Sequence, residues 1–338
     1  YTMITSYQFK AGGDILHLIF PSLPTTAGMY VIAAFVITFT ALAGMASVAY
    51  LDVIIGSLVT VIALLAVPIL LARVGGWEAA RQALPTDHFT LFGPLSWDKD
   101  LGFLLPTMLL LIGNQGMYQK FFSARSERDA RLAVFGWIVG TVILETAIIT
   151  IAVLGSSFLH AERPREIIPL TARLGLPQIP GAILLGGIFG KVISTANNFL
   201  FSPATNLIHD VYRRFLRPQA DERQTLLVSR VLVVVLGLFA LLQGAYFESI
   251  LRAALYAYTV YGAAVTPAVM AVFFWKRANT AGAISSIVLG TVITIVWNVL
   301  EIQWLDAVYP ALVVSLMALV GVSLATAPPP KEKWEPFA

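Results

Sequence analysis

Three ionisable side chains stand inside long apolar stretches: Asp52 in GMASVAYLDVIIG, Glu145 in GTVILETAIITIAVLG and Lys191 in GAILLGGIFGKVISTANNFLF. At membrane depth a charge costs at least about 2.5–3.5 kcal/mol on insertion scales, so such groups normally face a protein interior or a water-filled path. Lys191 lies too deep in its stretch to snorkel easily to either surface. Ser194 and Thr195 follow it at i+3 and i+4, which puts an ammonium and two hydroxyls on one helical face. That grouping reads as part of an ion or substrate path, or as a packing arrangement with the hydroxyls bonded back to their own helix. Gly186 and Gly190 precede it at small-xxx-small spacing, with Gly181 and Gly187 nearby, and let another backbone approach closely. Such approach serves ordinary packing, and beside Lys, Ser and Thr it also brings carbonyl oxygens within reach of an ion. Asp52 is expected at a turn between two spans, either capping the next helix or contributing to an ion site. Glu145 lies deeper, where it pairs with a base or stays protonated.

Other chemistries find little support. The chain has no cysteine, hence no disulfide framework and no thiolate metal site. His17, His88, His160 and His209 are too scattered for a metal-ligand spacing, and no histidine-based dyad or phosphate loop is present. An enzyme is therefore not expected. The net charge of +3 is small and its basic residues are spread between apolar runs, which argues against nucleic acid.

The elements that must position these groups follow from composition. The 338 residues are 58% hydrophobic and 12% charged, with mean hydropathy +0.80, against roughly a quarter charged in a soluble domain. Apolar runs long enough to cross about 30 Å of hydrocarbon recur throughout, continuously apolar instead of alternating, so they are helices and not barrel strands. Spans are expected at 1–20, 28–48, 51–73, 100–122, 132–157, 181–209, 227–247, 251–274, 280–300 and 306–325. The chain reads as an all-α, polytopic transmembrane helix bundle over 1–325, with a short cytoplasmic tail at 326–338. Tyr1 is not an initiator methionine and no polar flank precedes the first run, which predicts that an N-terminal part is missing.

Lys and Arg collect in alternate connections: Lys120, Arg125, Arg128 and Arg131, then Arg213, Arg214, Arg217 and Arg223, then Lys276 and Arg277, then Lys331 and Lys333. That side is expected to be cytoplasmic. The opposite side has the longer loops 74–99 and 158–180, punctuated by Pro85, Pro94, Pro164, Pro169 and Pro177. Segment 161–176 is expected to form a short interfacial helix over an outer vestibule.

Three stretches, in order, resemble the sodium:solute symporter family. They are GNQGMYQKFFSARSERDAR (113–131), STANNFLFSPATNLIHDVYRRFLRP (194–218) and YGAAVTPAVMAVFFWKRANTAGAISSIVLG (261–290). The first is similar to the family's helix-end pattern entering a cytoplasmic loop, the second to its Ser-Thr helix leading to Asp-x-Tyr-x-x-Phe-Leu-Arg, and the third to its Gly-x-x-x-x-Pro helix with Phe-Trp-Lys-Arg and Ala-Gly-Ala. Similarity runs from residue 5 to residue 300. The resemblance implies a LeuT-type inverted repeat of ten core helices, here lacking core helices 1 and 2, with residues 1–20 ending core helix 3 and the last two spans peripheral. It also implies secondary active transport: cation-coupled symport, with Na+ as the coupling ion, of a small organic solute.

In the family the ion sits between carbonyls of a broken core helix 1 and hydroxyls of core helix 8, and Ser194 and Thr195 match those hydroxyls. Where relatives often have Ala, this chain has Lys191: either it turns away and sodium binds as in the family, or its ammonium replaces or repels the ion and coupling passes to H+ or is lost. Asp52 matches the family's Trp-Thr-Asp-x-x-Gln motif, although Leu51 and Ile55 replace its Thr and Gln. Substrate-lining positions map to Thr107, Leu110, Leu111 and Asn114 on core helix 6, with Tyr7, Gln8, Tyr258, Thr259 and Tyr261 as further candidates. The pocket is thus less aromatic than that of proline or sugar carriers and suits a monocarboxylate or an amino acid. The alternative is a transporter-like membrane sensor or scaffold, since the same fold is also found attached to signalling kinases. The expected partners are the lipid bilayer of the cell membrane and a small-molecule substrate, with no obligate protein partner.

Overall fold

The computed structural model describes the chain except residues 43–44, 91–92, 94–95, 162, 247–248, 303 and 331–338, and of 45–47 the backbone alone. Pro94, Lys331 and Lys333 therefore lie outside the described residues. Fourteen α-helices are described: α1 (Thr2–Ile19), α2 (Thr25–Leu42), α3 (Met45–Val74), α4 (Trp77–Ala83), α5 (Trp97–Gly113), α6 (Gln115–Phe122), α7 (Glu127–Ser156), α8 (Ile167–Leu170), α9 (Gln178–Asn206), α10 (Glu222–Tyr246), α11 (Ile250–Ala264), α12 (Thr266–Phe274), α13 (Thr280–Val299) and α14 (Val308–Ala325). There is no strand among the described residues. Nine helical segments among them, beginning with Thr25–Leu42, are long and apolar enough to cross a membrane. The protein is a multi-pass α-helical membrane protein. Leu58, Leu65, Ile143, Val235, Ile284 and Met317, on five different spans, stay exposed, as lipid-facing side chains do.

Five expected spans differ in detail. The second ends at Leu42 and the third begins at Met45, because the apolar run through Met45 and Val48 belongs to α3. Asp52 is consequently inside a helix and not at a turn. The span expected at 100–122 is interrupted at Asn114, whose extended ψ of 106° ends α5 before α6 begins. A similar interruption at Val265, just before Thr266 and Pro267, separates α11 from α12, since proline supplies no N–H and suits a first helical turn. The span after Pro177 runs on beyond Pro203 into a π-wound turn over Leu207–Leu216. The expected interfacial segment appears as a short helical run, Pro164–Glu166, then α8, then Thr171–Gly175.

The described residues form two compact units: Tyr1–Thr90 with Gly116–Ile250, and Leu91–Gln115 with Leu251–Ala338. In the first, α9 is the central post. Phe9, Ile32, Val36, Leu200 and Val233 pack α1, α2, α9 and α10 together, and Ala63, Leu70, Ile151, Leu154 and Leu184 join α3, α7 and α9. The buried Thr40 hydroxyl donates to Asn197 Oδ1 at 2.8 Å, tying α2 to α9. Ser126 caps α7 by accepting from the Asp129 N–H at 3.1 Å, which satisfies one of the four orphan donors of that helix end.

The second unit packs by small residues and internal hydroxyls, the means available where lipid removes a hydrophobic drive between helices. Ser286 and Ser315 share a buried hydrogen bond of 2.7 Å between α13 and α14. A Cβ on Gly290 would stand 2.9 Å from the Ala264 Cα, so α13 and α11 touch where only hydrogen fits. Thr266 donates to the Leu109 carbonyl at 2.7 Å and Tyr261 to the Gly113 carbonyl at 2.9 Å, giving partners to carbonyls near the end of α5.

Candidate functional site

The site begins with two glycines. A Cβ on Gly187 would lie 2.7 Å from Val59 Cγ2, and one on Gly190 would lie 3.1 Å from Ile55 Cδ1, so α3 and α9 run close together there. Gly186, expected from its spacing to face a neighbour, has nothing within 4 Å. Asp52, Ile55 and Val59 form one stripe of α3 at i, i+3 and i+7, and they meet Ser194, Gly190 and Gly187 in reverse order. The helices are antiparallel, and their close approach delivers the Asp52 carboxylate to Ser194.

Three side chains converge on that carboxylate. Ser194 Oγ donates to Asp52 Oδ1. Asn198 Nδ2 donates to Oδ2 at 3.0 Å and to Oδ1 at 3.2 Å, and also to the Ser194 carbonyl at 2.9 Å. Lys120, from α6, places its Nζ 2.8 Å from Oδ2. Ser194 is buried, while the Asp52 and Lys120 side chains are 23% and 43% exposed. A carboxylate with a hydroxyl, an amide and an ammonium is thus assembled from three helices of one unit. Charge-assisted hydrogen bonds of this kind are roughly twice as strong as neutral ones.

Thr195, one residue on, has a different outlook. Its hydroxyl donates to the Lys191 carbonyl at 2.9 Å within α9, and the residue lines a cavity of about 610 Å³ together with Lys191, Gln8, Glu145 and Val59. Of the other charges around this cavity, Asp14 pairs with Arg165 at 2.8 Å, Arg163 with Glu166 at 3.7 Å, and Arg173 donates to the Leu18 carbonyl at 2.5 Å. Lys191 and Glu145 make no hydrogen bond or ion pair with the described residues. The three polar residues expected on one face are therefore divided: Ser194 turns to Asp52, whereas Lys191 and Thr195 turn to the cavity. Asp52 takes its ammonium from Lys120.

The solute candidates fall into both units. In the first, Gln8 lines the cavity and Tyr7 is buried. In the second, Leu110, Asn114 and Thr259 are buried, Tyr258 is half-buried and Leu111 is 40% exposed. The Thr107 hydroxyl donates to the Phe103 carbonyl of its own helix at 3.1 Å.

Asn198 and Lys120 were not among the expected site residues. A signal for the first existed: Asn198 is a helical turn after Ser194, within the polar doublet of an otherwise apolar stretch. For Lys120 none did, since its place beside Asp52 depends on the break at Asn114.

Helices long and apolar enough to span a bilayer, two of them interrupted part-way along, with a partly buried carboxylate bound across a helix pair, define a polytopic membrane protein. The sodium:solute symporter family matches residues 1–290 of this chain, and the chain belongs to that family. It is 24% identical to the osmoregulated proline transporter OpuE of Bacillus subtilis, over 100% of this chain and 70% of that protein. It is 25% identical to the sodium/proline symporter of Salmonella typhimurium over 100% and 70%. A solved structure, the substrate-bound outward-open state of a Na+-coupled sialic acid symporter with a novel Na+ site, superposes with a TM-score of 0.70. It is 20% identical, over 97% of this chain and 74% of that one. This likeness supports the LeuT-type helical fold.

Proposed function

We propose that this chain performs sodium-coupled symport of a small organic solute. The observation that carries the reading is the Asp52 carboxylate held by Ser194 and Asn198 across the α3–α9 pair. A sodium ion is a hard cation that takes oxygen ligands, and the Asp52 carboxylate and the Ser194 hydroxyl are such ligands in a place where an unneutralised charge is costly. Thr195 contributes as a second hydroxyl: while donating to the Lys191 carbonyl it keeps lone pairs that accept a cation. The relatives named sodium/proline symporters support the same coupling ion. In an inverted-repeat carrier, ion and solute are held near the bilayer midplane while one set of helices rocks against the other.

The solute is a monocarboxylate or an amino acid, a reading that rests on the weakly aromatic character of Thr107, Leu110, Leu111 and Asn114. The test is counterflow of radiolabelled solutes in liposomes holding the full-length carrier, with and without a sodium gradient. Sodium-stimulated exchange of one of these classes is expected. Binding without exchange would instead mark a sensor or scaffold.

One observation favours a second reading. Lys191 lines the cavity beside Thr195 with no partner among the described residues. In that version its ammonium replaces the coupling cation, and the carrier runs on protons or uncoupled.

A further inference from the structure

We propose that Lys120 is an internal competitor for the transported cation: its ammonium holds Asp52 while the ion is away, and the arriving ion displaces it and frees α6. This inference rests on the reading of Asp52 and Ser194 as cation ligands. Lys120 Nζ stands 2.8 Å from Asp52 Oδ2, the same carboxylate that Ser194 and Asn198 bind through donors. One carboxylate oxygen cannot keep full contact with both an ammonium and a metal cation in one pocket, because the two positive charges repel at such range. The ammonium therefore satisfies the carboxylate in the empty state and leaves it in the loaded one.

What Lys120 is attached to gives the exchange a structural consequence. α6 is eight residues long, none of them fully buried, and it is separated from α5 by the non-helical Asn114. Within its unit α6 packs only sparsely on the other helices. The ion pair thus ties α6 to α3. Releasing it lets α6 move as one short helix about Asn114. By the distribution of basic connections this is the cytoplasmic end, so ion occupancy would loosen a helix on the cytoplasmic side.

A competitor tethered in the site reduces apparent affinity by the fraction of time it occupies it. Lys120→Met should lower the sodium concentration for half-maximal uptake by about three- to tenfold. Lys120→Arg, which keeps the charge, should stay near the native value. Because the chain has no cysteine, Gln119→Cys provides a single thiol on half-buried α6. Sodium should speed its modification by a thiol reagent in the otherwise native carrier. In the Lys120→Met background the rate should already be high and indifferent to sodium. A thiol rate that ignores sodium with Lys120 present, or that still responds in Lys120→Met, overturns the proposal, as does Lys120→Arg behaving like Lys120→Met. If instead Asp52→Asn and Ser194→Ala carriers keep the native sodium dependence, the cation site itself has been misassigned.

Discussion

Two faces of α9, one residue apart, have opposite electrostatic character. On the Ser194 face the Asp52 carboxylate is met by a hydroxyl, an amide and the Lys120 ammonium. On the Thr195 face Lys191 and Glu145 border open space and pair with nothing among the described residues. Consecutive helical residues diverge by about 100°, which is enough to send two adjacent hydroxyls to different environments. Only the first face has its ligands already gathered, and preorganised oxygens bind an ion without first paying to assemble. The second offers a charge to whatever enters the cavity. On the proposed reading ion coupling belongs to the Ser194 face, and Lys191 is left for the solute side or for the surrogate role.

The largest effect should come from Asp52. Replacing it with Asn removes the site's anion and strands Lys120. A hydrogen bond to a charged group is worth about 1.5–3 kcal/mol, so the sodium needed for half-maximal uptake should rise on the order of 10- to 100-fold, or uptake should disappear. Sodium titration of uptake at matched membrane protein levels measures it. An unchanged titration in the Asp52→Asn carrier would remove the ion from this face altogether.

The adjacent hydroxyls sharpen the comparison next. Ser194→Ala should raise the half-maximal sodium concentration about tenfold through loss of one charge-assisted hydroxyl contact. Thr195→Ala should raise it only about twofold, because its hydroxyl lines the cavity and makes no bond to the Asp52 carboxylate. Equal effects would mean that the ion sits between the faces, as the resemblance alone implies.

Much of this arrangement was legible in the chain itself. Long apolar runs announced a helical bundle, because lipid leaves the backbone few alternatives, and the motifs around Gly113, Ser194 and Gly262 announced the family. Ser194 and Asp52 stood out as polar residues in apolar surroundings. The sequence could not separate Ser194 from Thr195, since spacing assigns both to one broad face while packing against α3 selects one. It favoured Gly186 over Gly187 for the same reason: small-xxx-small spacing says that some glycine faces a neighbour, and only the azimuth of α9 says which. The turn before Asp52 was misplaced because the apolar run around Met45 holds no proline or charged residue to end a helix. Lys120 was hidden because its contact spans 68 positions and depends on a break that Asn114 alone does not declare.

The glycines provide the next, smaller test of how the first face is built. Gly187→Leu drives a branched side chain into Val59, where even a Cβ would stand at 2.7 Å. Overpacking of this kind costs about 1–3 kcal/mol and should push α3 away from Ser194. The expected result is a few-fold rise in the half-maximal sodium concentration together with a lower melting temperature in detergent. Gly186→Leu, with nothing within 4 Å, should alter neither. If Gly186→Leu is the more damaging of the two, the helix pair does not meet as described.

Lys191 gives the smallest expected effect on coupling and the most direct comparison of the two faces. If sodium binds beside Asp52, an ammonium on the other side of α9 acts on it only through space, and the water in an open cavity weakens that action strongly. Lys191→Ala should then leave the sodium dependence within about twofold of native, although the apparent affinity for a carboxylate-bearing solute should fall when this ammonium is removed from the cavity. If the ammonium is itself the coupling charge, the native carrier should ignore sodium and Lys191→Ala should stop concentrating solute, since nothing then takes the ion's place. Coupling to protons adds a further signature, because uptake by the native carrier would then follow the pH gradient. Uptake at two pH values, with and without sodium, for both forms separates these cases in one experiment. Strong sodium dependence in the native carrier that survives the substitution eliminates the surrogate cation and leaves Lys191 to the solute, because the Ser194 face would then account for coupling without it.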